Sequence, residues 1–256
     1  MTDKKIFRIL QKGSFSRDKV RIKWNTNFKP LPETLAAEMN DFWARQQHRP
    51  HLFNGQLARL DSWSLSDGRL QLHLRRSDYR TLLYSNAHIK KIETEWGADS
   101  FSRALGISAV LVTADAQIVL IRRSKDVGEF PNCFDVFGGH IDAPSGSDAP
   151  SVYKSMEKEL AEEAGLAASD FELVLIGLIE AIPNRKPELV FCAHCKLDLS
   201  KILEKASGAK DQFEYSEILA LNQSQLKDFM QKNQSAFSPS AFGCLVITSE
   251  FLQKNR

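Results

Sequence analysis

At 256 residues the chain is long enough for one large domain or two smaller ones. Its 43% hydrophobic and 26% charged residues are those of a folded globular protein and exclude an intrinsically disordered chain. Thirty-four basic residues against 32 acidic ones leave a formal charge of +2, so any nucleic-acid surface would have to be a local cluster rather than a global bias.

The first 28 residues read as short strands interrupted at Lys12-Gly13-Ser14, and Lys4, Lys5, Arg8, Lys12, Arg17, Lys19, Arg21 and Lys23 make them basic. With Phe15 and Trp24 they could form a nucleic-acid surface. They suit the charged exterior of a β-rich core better, and no nucleic-acid partner is expected. The N-terminus lacks the apolar run of a signal peptide, and no later segment is long and apolar enough for a membrane span. A soluble cytoplasmic protein is the default expectation, with an organelle address left open. The four cysteines, Cys133, Cys192, Cys195 and Cys244, are too few and too scattered for a disulfide framework.

Helical spacing of Leu35, Met39, Phe42 and Trp43 predicts a helix, with Pro50 just past its end. Alternation over 56–63 and 69–74 around Asp67-Gly68 predicts a hairpin, and a capped short helix should start at 77–83. Strands are expected at 107–113 and 117–123, separated by a turn at Ala114-Asp115, with an irregular stretch through Pro131. A long helix is expected from about Pro150 to Ala164, closed by Gly165, with Pro150 in its first turn. Strands at 171–182 and 188–197, a short turn or helix at 200–205, a partly extended stretch at 213–221, and helices at 224–233 and 239–252 complete the chain. A domain boundary is expected near residue 100.

The long helix carries Glu159, Glu162 and Glu163 at i, i+3 and i+4, which places three carboxylates on one face. Like charges at that spacing destabilise a helix unless solvent or a hard divalent cation absorbs the repulsion. A solvated acidic face is the simpler reading of such a string taken alone. Context favours the cation, because Phe137-Gly138-Gly139-His140 precedes the helix and two glycines let backbone approach both helix and phosphate.

These residues resemble the Nudix box, a glycine followed by a glutamate and then Arg-Glu-apolar-x-Glu-Glu-x-Gly-apolar. Gly139 matches its glycine and Lys158 through Leu166 its second half. Eighteen residues separate Gly139 from Lys158, five more than in the family pattern. The longer loop lacks the first box glutamate, whose place Asp148 could take as a helix cap. Lys158 replaces the arginine, keeping its charge and losing its planar fork.

The expanded box is similar to that of the UDP-glucose pyrophosphatase branch of the Nudix superfamily. The resemblance extends over about residues 40–250, through Arg49-Pro50-His51-Leu52-Phe53-Asn54-Gly55, 78–86, Glu95-Trp96-Gly97 and 238–243. It implies an α/β (α+β) fold, a Nudix α/β/α sandwich with a mixed sheet over 101–256, preceded by a smaller β-rich domain over 1–100 that contributes to substrate binding. The implied reaction is magnesium-dependent hydrolysis of UDP-glucose or UDP-galactose to UMP and sugar 1-phosphate, with manganese an alternative metal. Glu159, Glu162 and Glu163 are the expected metal-binding and catalytic carboxylates, joined by the Gly139 carbonyl. Glu188 is the leading general base, with Glu180, Glu214 and Glu217 as alternatives. Tyr79, Arg80, Asn86, Arg122, Arg123, Gly138, Gly139 and His140 are the expected substrate contacts.

Two rival readings stay open. One is the same chemistry on ADP-ribose, a dinucleotide or a coenzyme A derivative; the other is a catalytically silent nucleotide-binding domain. Oligomeric state is not legible. Cys192 and Cys195 lie three residues apart on an apolar strand, where they project to opposite faces, so they are expected as core thiols rather than a zinc pair.

Overall fold

The computed structural model describes residues 6–47 and 52–255. Lys4, Lys5 and the Arg49-Pro50-His51 segment lie outside the described residues. The main sheet orders its strands as β1 (Phe7–Phe15), β9 (Phe171–Ala181), β10 (Lys186–Cys195), β5 (Gly106–Val112), β6 (Ile118–Arg123) and β11 (Tyr215–Leu221). Short β7 (Phe134–Asp135) pairs with β6, and β8 (Phe137–His140) pairs with β5. The sheet is mixed: β10 runs parallel to β5, while the other pairs are antiparallel.

Strand alternation divides the core between the two faces of this sheet. Val110, Ile176, Val190 and Cys192 face α7 (Pro239–Lys254), which adds Ala241, Cys244, Leu245 and Ile247. Leu245 is fully buried, and Phe242, Val246 and Phe251 pack against the same core, as their spacing predicts. Ile107, Ala109, Leu189 and Phe191 face the other way, onto α4 (Val152–Ala164), which presents Val152, Tyr153, Met156, Leu160 and Ala164. Those positions recur at helical spacing, and each fully buried large side chain contributes about 1.5–3 kcal/mol.

A second sheet, ordered β2 (Val20–Phe28), β4 (Arg69–Asp78), β3 (Gln56–Ser66), contains the expected hairpin. Leu70, Leu72 and Leu74 point inward and join the core that includes α4. Beside it α1 (Glu33–Gln46), α2 (Tyr79–Ala87) and α3 (Ile89–Glu95) enclose a satellite cluster of Leu35, Met39, Tyr84, Ile92 and Phe101. The two sheets thus share a core across residue 100, and β1 from the N-terminal segment is a strand of the main sheet.

Three local expectations are corrected. The strand does not break at Gly13; β1 continues through it, with register irregularities on the way to Phe15. A bulge absorbs the glycine. Pro150 lies before α4 rather than in its first turn, and Ser151, not Asp148, is the cap, accepting from Lys154 N.

Gly165 ends α4 in the left-handed region at φ 65°, and a Cβ there would stand 2.6 Å from the Lys205 carbonyl oxygen. Gly165→Ala is therefore expected to destabilise the fold by about 1–3 kcal/mol. Chemical denaturation of the two proteins would measure it, and equal midpoints would refute the strain argument.

Candidate active site

The three carboxylates expected to bind metal, all on α4, have three different fates. Glu163 is 2% exposed, and its Oε2 accepts a 2.8 Å hydrogen bond from the Gly138 amide. Burial, then the neighbouring charges of Glu159 and Glu214, push its carboxyl well above the usual range. Glu159 faces Gly139, where a Cβ would lie 2.8 Å from its carboxyl carbon. Burial is also the main cause that raises Glu159, to about 7, with Glu162, Asp142 and Glu214 adding to it against the pull of Lys158. Glu162 turns outward to Lys210 at 2.6 Å and lies 3.8 Å from Lys158.

Lys158 also donates to Asp142 in the long loop at 2.8 Å. An amine lacks the arginine fork, yet here it bridges helix and loop carboxylates. Glu214, just before β11, acts on both Glu159 and Glu163, and burial raises it too.

Among the described residues no three His, Cys, Asp or Glu side chains already form a metal cage. The donor set still suits a hard cation. Glu159 and Glu163 are desolvated, the charge of Glu159 raises the proton affinity of Glu163, and Glu159 stands against a glycine whose missing Cβ leaves room for it. Oxygen ligands in such number, completed by water, match magnesium.

A second polar group lies on the other side of β8. Glu129, in the loop between β6 and β7, accepts from Asn86 Nδ2 at 2.7 Å, and its Oε2 lies 3.3 Å from His140 Nε2 and 3.7 Å from Lys186 Nζ. Burial alone would raise Glu129; Lys186 foremost reverses that and holds it at about 2. His140 is driven down to about 3 by burial and by Lys186, so it is neutral and its contact with Glu129 is not an ion pair.

Glu188 belongs to this second group. Its Oε1 accepts from Ser108 Oγ at 2.8 Å, its Oε2 lies 3.5 Å from Lys186, and Cys244 of α7 lies against the Ser108–Glu188 pair. Alternation along β10 sets Glu188 with Val190 and Cys192 on the α7 side of the sheet, whereas α4 covers the opposite face. Its carboxyl is raised by burial. Of the expected general bases, Glu214 rather than Glu188 stands beside the α4 carboxylates. Glu180 is bound up with Arg8 at 2.9 Å and Arg103 at 3.6 Å, and Glu217 is exposed on β11.

The expected substrate contacts divide likewise. Asn86 and His140 meet at Glu129, and Arg123 joins them by donating from Nε to the Glu129 carbonyl at 3.0 Å and lying 3.5 Å from Asp135. Tyr79 reaches the same loop at Gly128. Gly138 and Gly139 lie against α4. Arg80 instead pairs with Asp78 at 3.1 Å and donates to Asn40, and Arg122 stacks its guanidinium 5.0 Å from the Phe134 ring centre. Sequence reasoning missed Glu129, Lys186 and Asn184. Only the adjacency of Glu129 to the arginine-bearing strand end hinted at any of them. All four cysteines are free thiols, with Cys192, Cys195 and Cys244 buried. Among the described residues no helix is long and apolar enough to cross a membrane.

No family model matches the chain. It is 29% identical over 254 residues to "Nudix hydrolase 9" of Arabidopsis thaliana, covering 84% of this chain and 82% of that protein. This chain is a relative of the Nudix hydrolases. It is also 26% identical over 267 residues to "Uridine diphosphate glucose pyrophosphatase NUDT22" of Mus musculus, covering 92% of this chain and 87% of that one. Among solved structures, a mutT/nudix family protein from Listeria innocua matches with a TM-score of 0.40 and 20% identity over 59% of this chain and 94% of that one. The expanded loop and outward-turned Glu162 described above are thus features of a Nudix relative whose similarity runs well beyond the box.

Proposed function

We propose that this Nudix relative hydrolyses the diphosphate bond of a UDP-sugar, UDP-glucose or UDP-galactose, releasing UMP and sugar 1-phosphate. The observation that carries the reading is the pair of desolvated carboxylates, Glu159 and Glu163, set against the glycine segment of β8. The UDP-sugar assignment is supported by the similarity to the mouse, cattle and human relatives named uridine diphosphate glucose pyrophosphatase.

Glu159 and Glu163 would hold magnesium, with the Gly139 carbonyl as a further oxygen ligand and Glu162 at the rim once it releases Lys210. Magnesium, when bound, supplies charge neutralisation on the nonbridging phosphate oxygens and acidifies a water. In the net reaction a water oxygen bonds to phosphorus, the bridging P–O bond breaks, and the departing phosphate takes the bond's electrons. Glu214 is suited to take the proton of the attacking water, because its charge acts on both members of the pair from outside α4 and burial raises its basicity. The Gly138 amide fixes Glu163, and the segment 1–100 contributes to the sugar or nucleoside pocket through α2.

A substrate panel with magnesium tests the reading. UDP-glucose and UDP-galactose should be hydrolysed with kcat/KM at least tenfold above ADP-ribose, a dinucleotide polyphosphate and coenzyme A. Rapid turnover of ADP-ribose with none of UDP-glucose would refute the UDP-sugar assignment. No turnover of any compound would favour the silent binding domain.

A further inference from the structure

The loop between β6 and β7 is held by one helix from the N-terminal segment. Tyr79 and Asn86 of α2 are seven residues apart, two turns, and so lie on one face. Both engage that loop at adjacent residues. The Tyr79 hydroxyl occupies the place a Cβ on Gly128 would need, and Asn86 donates to Glu129. Asn184, following β9, donates in turn to Asn86 Oδ1 at 3.1 Å.

From its other oxygen Glu129 touches His140, the last residue of β8, and Lys186, the first of β10. Its own carbonyl is gripped by Arg123 at the end of β6. One buried carboxylate therefore joins α2, β8 and β10, and the backbone of the same residue adds β6. The loop itself is strained: Phe130 at φ 45° and Asn132 at φ 62° are left-handed without being glycine. Such backbone persists only where surrounding contacts over-determine it.

We infer that Glu129 is a positioning residue, which sets the height of the Gly138–His140 segment against the α4 carboxylates and ties that height to α2. The kinetic part of this inference rests on the proposed hydrolysis; the structural part does not. Pairing with β5 holds β8 along one edge, but Gly138 and Gly139 carry no side chains to brace it further, and a displacement of about 1 Å at a reacting centre can cost about 100-fold in rate.

Asn86→Ala in the full chain tests it, because it removes the hydrogen bond to Glu129, together with the one Asn86 accepts from Asn184, and leaves the Glu129–Lys186 charge pair intact. Two readouts are needed: amide hydrogen exchange along 124–141, and steady-state kinetics on the best diphosphate of the panel. Exchange in β8 and the loop should quicken at least tenfold while β10 is unchanged, and kcat should fall at least fivefold with KM within twofold. Glu129→Gln should do the same more severely; if it fails to fold, Asn86→Ala carries the test alone. Unchanged exchange in β8 overturns the inference whatever the substrate. A raised KM with unchanged kcat also overturns it, since that is the signature of Asn86 contacting substrate directly. Quickened β8 exchange in a protein that hydrolyses no diphosphate leaves the positioning role standing and removes the proposed function alone.

Discussion

Glu163→Gln is expected to lower kcat for the diphosphate substrate by about 100- to 1,000-fold, the range seen when one stabilising group is taken from a preorganised charged site. The substitution is close to isosteric. Its amide oxygen can still accept from the Gly138 amide, the hydrogen bond Glu163 makes at 2.8 Å, so the local backbone should hold. What changes is charge. Glu163 is buried, and burial with the nearby Glu159 and Glu214 already favours its neutral form in the free protein. The folded state therefore loses little when the charge is removed, and thermal unfolding should be unchanged or slightly higher. Stability and activity should move apart, as they do where a site stores unfavourable electrostatics for function. Kinetics at saturating magnesium, with a melting curve on the same preparation, would check both. Activity within threefold of the parent would remove Glu163 from the metal site.

Gly139→Ala is the second large effect. An added Cβ would stand 2.8 Å from the Glu159 carboxyl carbon and 2.9 Å from both its oxygens, closer than carbon packs against such atoms. The backbone of β8 is extended and accepts alanine, so the fold should survive. Glu159 must move instead. Displacing one ligand of the pair should cost about 100-fold in kcat/KM and raise the magnesium concentration needed for half-maximal rate. Gly146→Ala is the matched control: it lies in the expanded loop with nothing within 4 Å of its Cβ position, and its activity should stay within about twofold of the parent. Equal losses in the two variants would mean that glycine content, and not the approach of Glu159, is what matters.

The legible parts of this protein are those where a short stretch of chain carries its own instructions. Helical spacing from Val152 to Ala164 and the glycine after it determine α4 and its left-handed cap. The alternation on either side of Asp67-Gly68 determines the β3–β4 hairpin, because a period of two and a turn residue with positive φ are local properties. The capped start of α2 is local as well: Asp78 accepts from Thr81 N, three residues on. Illegible parts depended on distant partners. β1 reads as a basic N-terminal strand of a separate unit, yet it pairs with β9 from Phe7 opposite Ala181 to Phe15 opposite Leu175. Backbone pairing of this kind is encoded by neither strand's pattern alone. Glu188 lies two residues inside β10, and the alternation of a strand buried on both faces does not reveal which face meets α4.

The sequence by itself determined that Glu159, Glu162 and Glu163 share a helix face, since 3.6 residues per turn is fixed by the backbone and needs no tertiary contact. Their separate roles were decided by tertiary structure. β8 pairs with β5 and brings the Gly138 amide to Glu163 and Gly139 to Glu159, while Lys210, far along the chain, draws Glu162 outward. The same holds for Glu129, an acidic residue in an irregular loop until α2, β8 and β10 converge on it. Burial and charge pairing depend on which segments meet, and proton affinity follows from both, so the chemistry of each carboxylate appears only when the chain is folded.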